Sequence, residues 1–253
     1  MNDGPRHWLC SNRLAVSLPD RLARLLARAL DRLDQLLRGH LPHETWVRYQ
    51  RRLDGADAAP AEVELSPLDD ATIAALETHA WRDHPQIRTA LRLWKQNLRS
   101  AFVWREHGEP LCMQWLFGEQ DNARLRRLPS WAGMYPPIPA GCGQVENILV
   151  LPKGLRRPGG AATPFAHAMY AEAYARGIRR LITHIHEDNT AAHRWAARTG
   201  WSAYGTIRRY RFELPLLRGY CLYVHSSLPS KAQRDTAANA PAPLGGSSPP
   251  LPR

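Results

Sequence analysis

The chain has 253 residues, of which 44% are hydrophobic, so it can form one folded domain with extensions or two small domains. Its net charge of +11 suits an acidic partner, but no zinc-finger, helix-turn-helix or RNA-binding signature accompanies it, so nucleic acid is not the expected partner. The four cysteines lack metal-ligand spacing, which predicts a protein without disulfides or a bound metal. No segment could span a bilayer and no export pattern opens the chain, so we expect a cytoplasmic protein.

Residues 18–38 carry leucines at helical spacing and arginines on the opposite face, which predicts an amphipathic helix. Three interpretations are open: the helix packs on its own domain, it forms a homodimer or another partner surface, or it lies on a membrane surface. Residues 52–60 contain Gly, Asp and Pro and predict a linker. We therefore expect an N-terminal helical extension over residues 1–60, a domain over 61–226 and a disordered tail over 227–253.

The first part of that domain shows strand and helix patterns in turn. Residues 61–65 alternate and predict a strand. Two helices are predicted after it, one opened by acidic residues that follow Ser66 and one containing Trp94. Residues 101–105 and 111–117 predict a β-hairpin.

Residues 118–143 form a long irregular segment that contains Trp131, Met134 and Tyr135. Loops of this length inside a compact domain are usually functional or disordered, and the aromatic content favours an ordered one. Two interpretations are open: the segment forms a wall of the acceptor pocket, or it only covers the core.

Residues 145–201 predict a strand, a turn, a helix, a second strand and a second helix. The first strand begins at Val145, and the second is the short apolar run 181–186. Residues 203–212 and 220–224 predict two closing strands. The remaining elements can be placed relative to this central unit.

The turn in that unit, residues 156–162, reads Arg-Arg-Pro-Gly-Gly-Ala-Ala. Small residues at a helix start let an anion approach unpaired backbone N–H groups at the positive end of the helix dipole, and an arginine can add a charge-assisted contact. The turn therefore predicts a pyrophosphate site, and it fits neither a P-loop nor a dinucleotide-binding glycine motif. Two registers of R-x-x-G-x-A remain open, which are Arg157, Gly160 and Ala162, or Arg156, Gly159 and Ala161.

With this turn, the stretch resembles the GCN5-related N-acetyltransferase (GNAT) superfamily, in which an R/Q-x-x-G-x-G/A turn after a strand binds the pyrophosphate of acetyl-CoA. The resemblance continues through Gly177 at the helix end, the N-x-x-A motif that begins at Asn189, and the pair Gly200-Trp201. It implies an α/β fold with a mixed sheet, acetyl-CoA as co-substrate, and transfer of an acetyl group to a primary amine of a small molecule or protein.

The resemblance also implies residue roles. The strand before the turn would splay from the next strand, and the pantetheine arm would fill the gap beside Ile148, Leu149 and Val150. A backbone N–H near Leu149 or Val150 would then face the thioester oxygen. Asn189 either only caps the second helix or also contacts the cofactor arm, as the resemblance implies.

Glu146 is the candidate general base. Some family members carry a Glu eleven residues before the first residue of the turn, and Glu146 keeps that interval to Arg157. An acid inside an apolar strand would have its pKa raised by desolvation, which suits a base near neutral pH. Alternatively, Glu146 only pairs with an arginine. His184 and His186 share a strand face and either assist proton removal or line the pocket.

The sequence departs from the family at the general acid. A Tyr often lies seven positions after the Asn, and here that position is Ala196. We name Glu146 and Tyr204 as the candidate catalytic residues, with Tyr135 and Cys142 as alternatives to Tyr204. Because a thiol leaving group needs little help near neutral pH, a dedicated acid is not required.

Two other functions also fit the sequence. The same fold could use an acyl carrier protein or an aminoacyl-tRNA as donor, or it could be a coenzyme A-binding or interaction module with little catalysis. The amine acceptor is not identified. A pocket lined with acids would favour a polyamine or basic peptide, and an Arg-lined pocket would favour an amino-acid carboxylate.

Overall fold

The computed structural model describes residues 7–11, 15–17, 25, 29, 32, 43–58, 63–128, 131, 134–211 and 220–227. These residues contain ten strands, which are β1 (His7–Ser11), β2 (Ala15–Ser17), β3 (His43–Arg52), β4 (Leu65–Pro67), β5 (Ala101–Glu106), β6 (Glu109–Phe117), β7 (Cys142–Val150), β8 (Arg180–His186), β9 (Ser202–Arg211) and β10 (Tyr220–Ser227). The helices are α1 (Asp70–Thr78), α2 (Pro85–Lys95), α3 (Asn122–Leu125), α4 (Pro152–Arg156), α5 (Ala162–Ala175) and α6 (Thr190–Arg198).

All ten strands belong to one sheet with the order β2-β1-β10-β9-β3-β8-β7-β6-β5-β4. Every neighbouring pair is antiparallel except β7 and β8, which run parallel. Parallel neighbours need a crossover connection, and α5 supplies it between β7 and β8. The prediction of an α/β fold with a mixed sheet is confirmed.

Helices cover both faces of the sheet. Because strand side chains alternate, Val145 faces one core and its neighbours face the other. The first core packs α5 and α6 on the sheet through Phe165, Met169, Tyr170 and Trp195. The second core packs α1, α2 and the segment after β6 on the opposite face through Leu76, Ile87, Trp115 and Trp131.

Local sequence explains where the helices begin and end. Asp69 caps α1 by accepting a hydrogen bond from the Thr72 N–H at 2.8 Å, and α2 begins at Pro85, whose missing N–H does no harm in a first turn. Gly177 follows α5 with a φ of 82°, a conformation that favours glycine and stops the helix. The predicted hairpin, the two helices after residue 66, the helices on either side of β8 and the two closing strands are confirmed to within a few residues. The strand predicted over 61–65 lies instead at β4 (Leu65–Pro67).

The N-terminal part of the chain differs from the prediction. We expected residues 1–60 to be an extension outside the domain, but β3 (His43–Arg52) lies in the middle of the sheet, between β8 and β9. Trp46, Val47 and Tyr49 favour a strand, and pairing with residues far along the chain fixes it there. The boundary at residue 60 therefore does not separate the sheet from an extension.

Two predictions fall largely outside the described residues. Of the helix predicted over 18–38, the structure describes Leu25, Ala29 and Arg32, which are helical and exposed. Of the tail predicted over 227–253, it describes only residue 227, the last residue of β10. None of the helices in the described part of the chain is long and apolar enough to cross a membrane.

Candidate functional site

The strands β7 and β8 pair over a short stretch and then separate. Three register pairs join them, and the last is Gln144 with Ile182. Beyond that point β7 continues along β6 as far as Val150, while β8 continues along β3 as far as His186. The two strands therefore diverge, as the resemblance predicted, and a gap opens on the sheet where an extended ligand can lie between them.

A β-bulge shapes the β7 side of this gap. The pairing register with β6 shifts between Met113 and Trp115, and Asn147 adopts a φ of 56°. The start of α2 holds the bulge, because Gln86 Nε2 donates to the Ile148 carbonyl at 2.6 Å and Asn147 Nδ2 donates to the Gln86 carbonyl at 3.1 Å. The bulge thus turns the backbone just after Glu146.

Glu146 lies where the strands separate, and its side chain is 11% exposed. Gln144 Nε2 donates to Glu146 Oε1 at 2.9 Å, and His184 Nδ1 lies 3.1 Å from the same oxygen. Both contacts end on Oε1, which leaves Oε2 without a partner among the described residues. Burial raises the pKa of Glu146 to about 8, and the Gln144 hydrogen bond opposes that rise. Its partners are therefore His184 and Gln144, and not an arginine.

His184 is the buried partner of Glu146, with a fully buried side chain. The Tyr135 ring lies 4.4 Å from the His184 ring, and His184 Nε2 is buried without a hydrogen bond to any described residue. Burial, together with the charge of Arg48, holds the pKa of His184 well below its ordinary value, so the imidazole is neutral near pH 7. His186 instead packs edge-on against Trp46, with ring centroids 5.2 Å apart.

Tyr135 brings the irregular segment after β6 into the site. Besides His184, its ring contacts Trp131 at 4.8 Å. Tyr135 and Gln144 also line a small cavity together with Asn122, Leu125, Arg126, Trp131, Pro136 and Pro137. Burial, and then the charge of Glu146, raise the pKa of Tyr135 well above its ordinary value, so its hydroxyl stays protonated. Trp131 is also part of the second core, so both interpretations of this segment, a wall of the acceptor pocket or a cover of the core, stay open.

The predicted pyrophosphate turn lies between α4 and α5. The Gly160 N–H donates to the Arg157 carbonyl at 2.9 Å and closes a four-residue turn. Pro158 is the second residue of this turn and Gly159, with a φ of 76°, is the third, as in a type II turn. No side chain of the described residues caps the start of α5. A Cβ at Gly159 or Gly160 would meet nothing within 4 Å, so the surface over the turn is open. The helix start therefore keeps backbone N–H groups that can donate hydrogen bonds to an anion.

The two arginines of the turn differ in their surroundings. Arg157 is 33% exposed, its Nε lies 3.8 Å from Glu106 Oε1, and its guanidinium lies 4.8 Å from the Trp104 ring centroid. Arg156 is exposed. Ala161 is the residue before the first turn of α5, and Ala162 begins the helix. Both registers of the motif therefore stay open.

The other predicted residues are spread along the sheet. Asn189 caps α6 by accepting a hydrogen bond from the Ala192 N–H at 3.1 Å, as predicted, and Ala196 is fully buried. Tyr204 lies on β9, separated from β7 by β3 and β8, so the structure does not bring it next to Glu146. Cys142 is buried at the paired end of β7, where Arg180 Nε donates to its Sγ at 3.2 Å.

Sequence reasoning missed the contribution of β3 to this face. Arg48 pairs in register with His184, and Trp46 pairs with His186. The β-branched and aromatic residues Thr45, Trp46, Val47 and Tyr49 were a strand signal that could have been recognised. Among the described residues no group of three or more His, Cys, Asp or Glu side chains could hold a metal ion.

No protein-family model matches the chain, and no curated protein matches it. Among solved structures, a fungal multi-domain β-N-acetylglucosaminidase with a GCN5-related glucosamine N-acetyltransferase region has a TM-score of 0.51 at 10% identity, over 78% of this chain and 23% of that one. A GNAT-family acetyltransferase from Colwellia psychrerythraea (TM-score 0.47, 14% identity, 81% and 62%) and one from Sphaerobacter thermophilus (0.46, 16%, 79% and 56%) are also similar. The chain spans less than two thirds of each of these proteins. It has the fold of GCN5-related N-acetyltransferases.

Proposed function

We propose that this protein is a GNAT-superfamily acyltransferase that moves an acetyl group from acetyl-CoA to a primary amine. The observation that carries the proposal is the position of Glu146, a buried carboxyl with a raised pKa, at the point where β7 and β8 separate. A thioester arm in that gap would lie next to a base, and the fold is one that acetyltransferases use.

The residues present fit coenzyme A. The open turn and uncapped helix start supply N–H donors for the pyrophosphate, from Gly159, Ala161 and Ala162, with Arg156 or Arg157 adding charge, while Gly160, whose N–H closes the turn, keeps the surface open. Pro164, in the first turn of α5, lacks an N–H, so the donors come from the residues before it. Ile148, Leu149 and Val150 would border the pantetheine arm, and Asn189 would cap α6 beside it.

The proposed reaction is direct attack. The amine nitrogen forms a C–N bond to the acetyl carbonyl carbon, the C–S bond breaks, and coenzyme A leaves as its thiol. Glu146 takes a proton from the amine through Oε2, while Gln144 and His184 hold Oε1. A backbone N–H near Leu149 or Val150 would stabilise the oxygen that gains charge.

Three residues are candidates for the acid that protonates the thiolate. Tyr135 contacts His184 and stays protonated, whereas Tyr204 lies on β9, with two strands between it and β7, and Cys142 lies at the paired end of β7. Of the three candidates, Tyr135 is therefore favoured by proximity. A thiolate near neutral pH also leaves without a dedicated acid.

A second candidate function is a coenzyme A-binding module with little catalysis. The observation that favours it is Ala196, which is fully buried in α6 and has no hydroxyl to offer at the position where the resemblance expects a tyrosine. Binding of coenzyme A without turnover, for any amine tested, would support this alternative.

The experiment is a thiol-release assay with acetyl-CoA and a panel of amines, together with calorimetry of coenzyme A binding. Glu146→Gln should lower kcat by about 100-fold or more while coenzyme A still binds. Glu64→Gln, which removes an exposed carboxyl, is the matched control. If coenzyme A does not bind the wild-type protein, the proposal is wrong.

The same calorimetry decides the register of the turn. Arg157→Glu and Arg156→Glu each reverse one charge, and the arginine in the working register should weaken coenzyme A binding by at least about tenfold when reversed. The other variant should bind nearly as the wild type does, apart from a small long-range effect that salt screens. If both variants bind like the wild type, neither arginine contacts the pyrophosphate.

A further inference from the structure

The β-bulge on β7 places one extra residue between Glu146 and Leu149. Glu146 pairs in register with Trp115 and Leu149 pairs with Met113, so two residues of β7 lie opposite a single residue of β6. An insertion of this kind shifts the alternation of the strand by one position. The side chains after the bulge therefore point to faces of the sheet that an unbroken strand would not give them.

The packing of the side chains shows this shift. Val145 and Val150 are separated by an odd number of positions, so an unbroken strand would place them on opposite faces. Instead, Val145 belongs to the first core and Val150 packs against the same core. Glu146 and Leu149 point to the other face, where Glu146 contacts His184 and Leu149 joins the second core. Without the bulge, Glu146 or the residues that follow it would have to change faces.

The same stretch of β7 directs a backbone N–H into the gap between β7 and β8. The Leu151 N–H donates to the Leu111 carbonyl at 2.9 Å, so the N–H of Leu151 faces β6. The backbone groups of consecutive residues in a strand face its two sides in turn, so the N–H of Val150 faces away from β6 and toward the gap. A thioester oxygen in the gap would therefore meet the Val150 N–H as a donor.

Gln86, in the first turn of α2, makes two hydrogen bonds to the bulge. Its Nε2 donates to the Ile148 carbonyl at 2.6 Å, and its own carbonyl accepts from Asn147 Nδ2 at 3.1 Å. Asn147 has the left-handed backbone of the bulge, with a φ of 56°. Ile87, the next residue of α2, is fully buried in the second core and fixes the start of the helix against the sheet. Both residues of the bulge are thus bound to one residue of a packed helix.

We infer that Gln86 is a positioning residue for the transfer reaction, because it holds β7 in the register that presents the Glu146 carboxyl and the Val150 N–H to the gap together. The inference rests on the proposed transferase function and adds to it a residue that acts through the strand. Loss of the amide donor would remove the partner of the Ile148 carbonyl and weaken the hold on the bulge. Because a misplacement of about 1 Å can cost about 100-fold in rate, we expect the effect on kcat.

Gln86→Met tests the inference, since it keeps the length of the side chain and removes the donor. Both proteins are assayed for thiol release from acetyl-CoA with the proteinogenic amino acids, tyramine, spermidine and glucosamine, below the temperature at which either unfolds. With the best amine, kcat should fall about 10- to 100-fold. The KM for acetyl-CoA and the calorimetric Kd for coenzyme A should stay within about twofold of the wild-type values, because the turn between α4 and α5 is unchanged. A merely structural role would lower the free energy of unfolding and leave kcat of the folded protein unchanged.

Gln96→Met is the matched control, because it makes the same substitution at an exposed position at the other end of α2. It should leave kcat and both binding constants unchanged. If Gln86→Met does not fold by circular dichroism, Asn147→Gly serves instead. Glycine accepts the left-handed backbone, and loss of the contact with the Gln86 carbonyl should lower kcat by about three- to tenfold at an unchanged KM for acetyl-CoA.

The outcomes separate this inference from the proposed function. A kcat of the folded variant within about twofold of the wild-type value overturns the inference and leaves the transferase function standing. Equal losses of kcat and of coenzyme A affinity also overturn it, since they would assign Gln86 to cofactor binding. Absence of turnover by the wild-type protein with every amine contradicts the transferase function, and the inference falls with it.

Discussion

Glu146→Gln should stabilise the folded protein at alkaline pH although it removes the proposed base. Folding raises the pKa of this carboxyl from 4.5 to about 8, chiefly through burial. Between those values the folded state holds a proton that the unfolded state has released, so stability falls as pH rises through the interval. At about 1.4 kcal/mol per pH unit, the loss by pH 9 is about 3 to 5 kcal/mol.

The variant has no ionisable group at this position, so it escapes that loss. The glutamine side chain can still accept from Gln144 and interact with His184, and at pH 5 the wild-type carboxyl is itself neutral in the folded protein. We therefore expect nearly equal free energies of unfolding at pH 5 and an advantage of about 3 to 5 kcal/mol for the variant at pH 9. Because other titrating groups are common to both proteins, their contributions cancel in the difference.

Urea titrations of both proteins at pH 5, 7 and 9 measure this difference, with equal m-values as the check that unfolding stays comparable. A difference that does not change with pH would refute the reasoning, since it would mean that Glu146 is ionised at low pH in the folded state. A variant that is more stable than the wild type at pH 9 would show that burial of the ionised carboxyl destabilises the folded protein.

Gly154→Ala should destabilise the protein by about 1 to 3 kcal/mol, because its Cβ would overlap the backbone carbonyl oxygen of Leu111; Gly55→Ala, which meets nothing within 4 Å, is the control in the same urea titration. Asn189→Ala should cost about 1 kcal/mol through loss of the α6 cap, and an unchanged urea midpoint would contradict that role. The value of kcat/KM should rise about tenfold per pH unit up to about pH 8 and then level off, as the base form of Glu146 accumulates; a flat profile would exclude it as the base.

The central unit could be predicted from sequence because its signals are local. Helix periodicity, Gly177 and the cap at Asn189 each act within a few residues, and the structure has α5, β8 and α6 close to where those signals place them. The turn between α4 and α5, for which we predict pyrophosphate binding, was recognisable for the same reason. Its two glycines both adopt positive φ, which few other residues would tolerate.

The arrangement of the site could not be predicted in the same way, because it depends on pairing between distant strands. Glu146 and His184 were each singled out, but their contact follows from the point at which β7 and β8 separate. Arg48 and Trp46 entered the site only because β3 pairs with β8, a register that no local pattern specifies. Tyr204 was proposed as the acid because of its residue type. Two strands separate β9 from β7, and the spacing of residues in the sequence does not show this distance.

The position of β3 has a consequence for how the polypeptide acquires its structure. His43 pairs with Tyr210 and Arg52 pairs with Arg180. The two strands that pair with β3 are therefore synthesised only after most of the chain has left the ribosome. Contacts of such large sequence separation slow folding and leave strand edges exposed in the meantime. Deleting the N-terminal segment through β3 would therefore split the sheet, so the role of residues 18–38 is better tested by substitutions in that segment than by truncation.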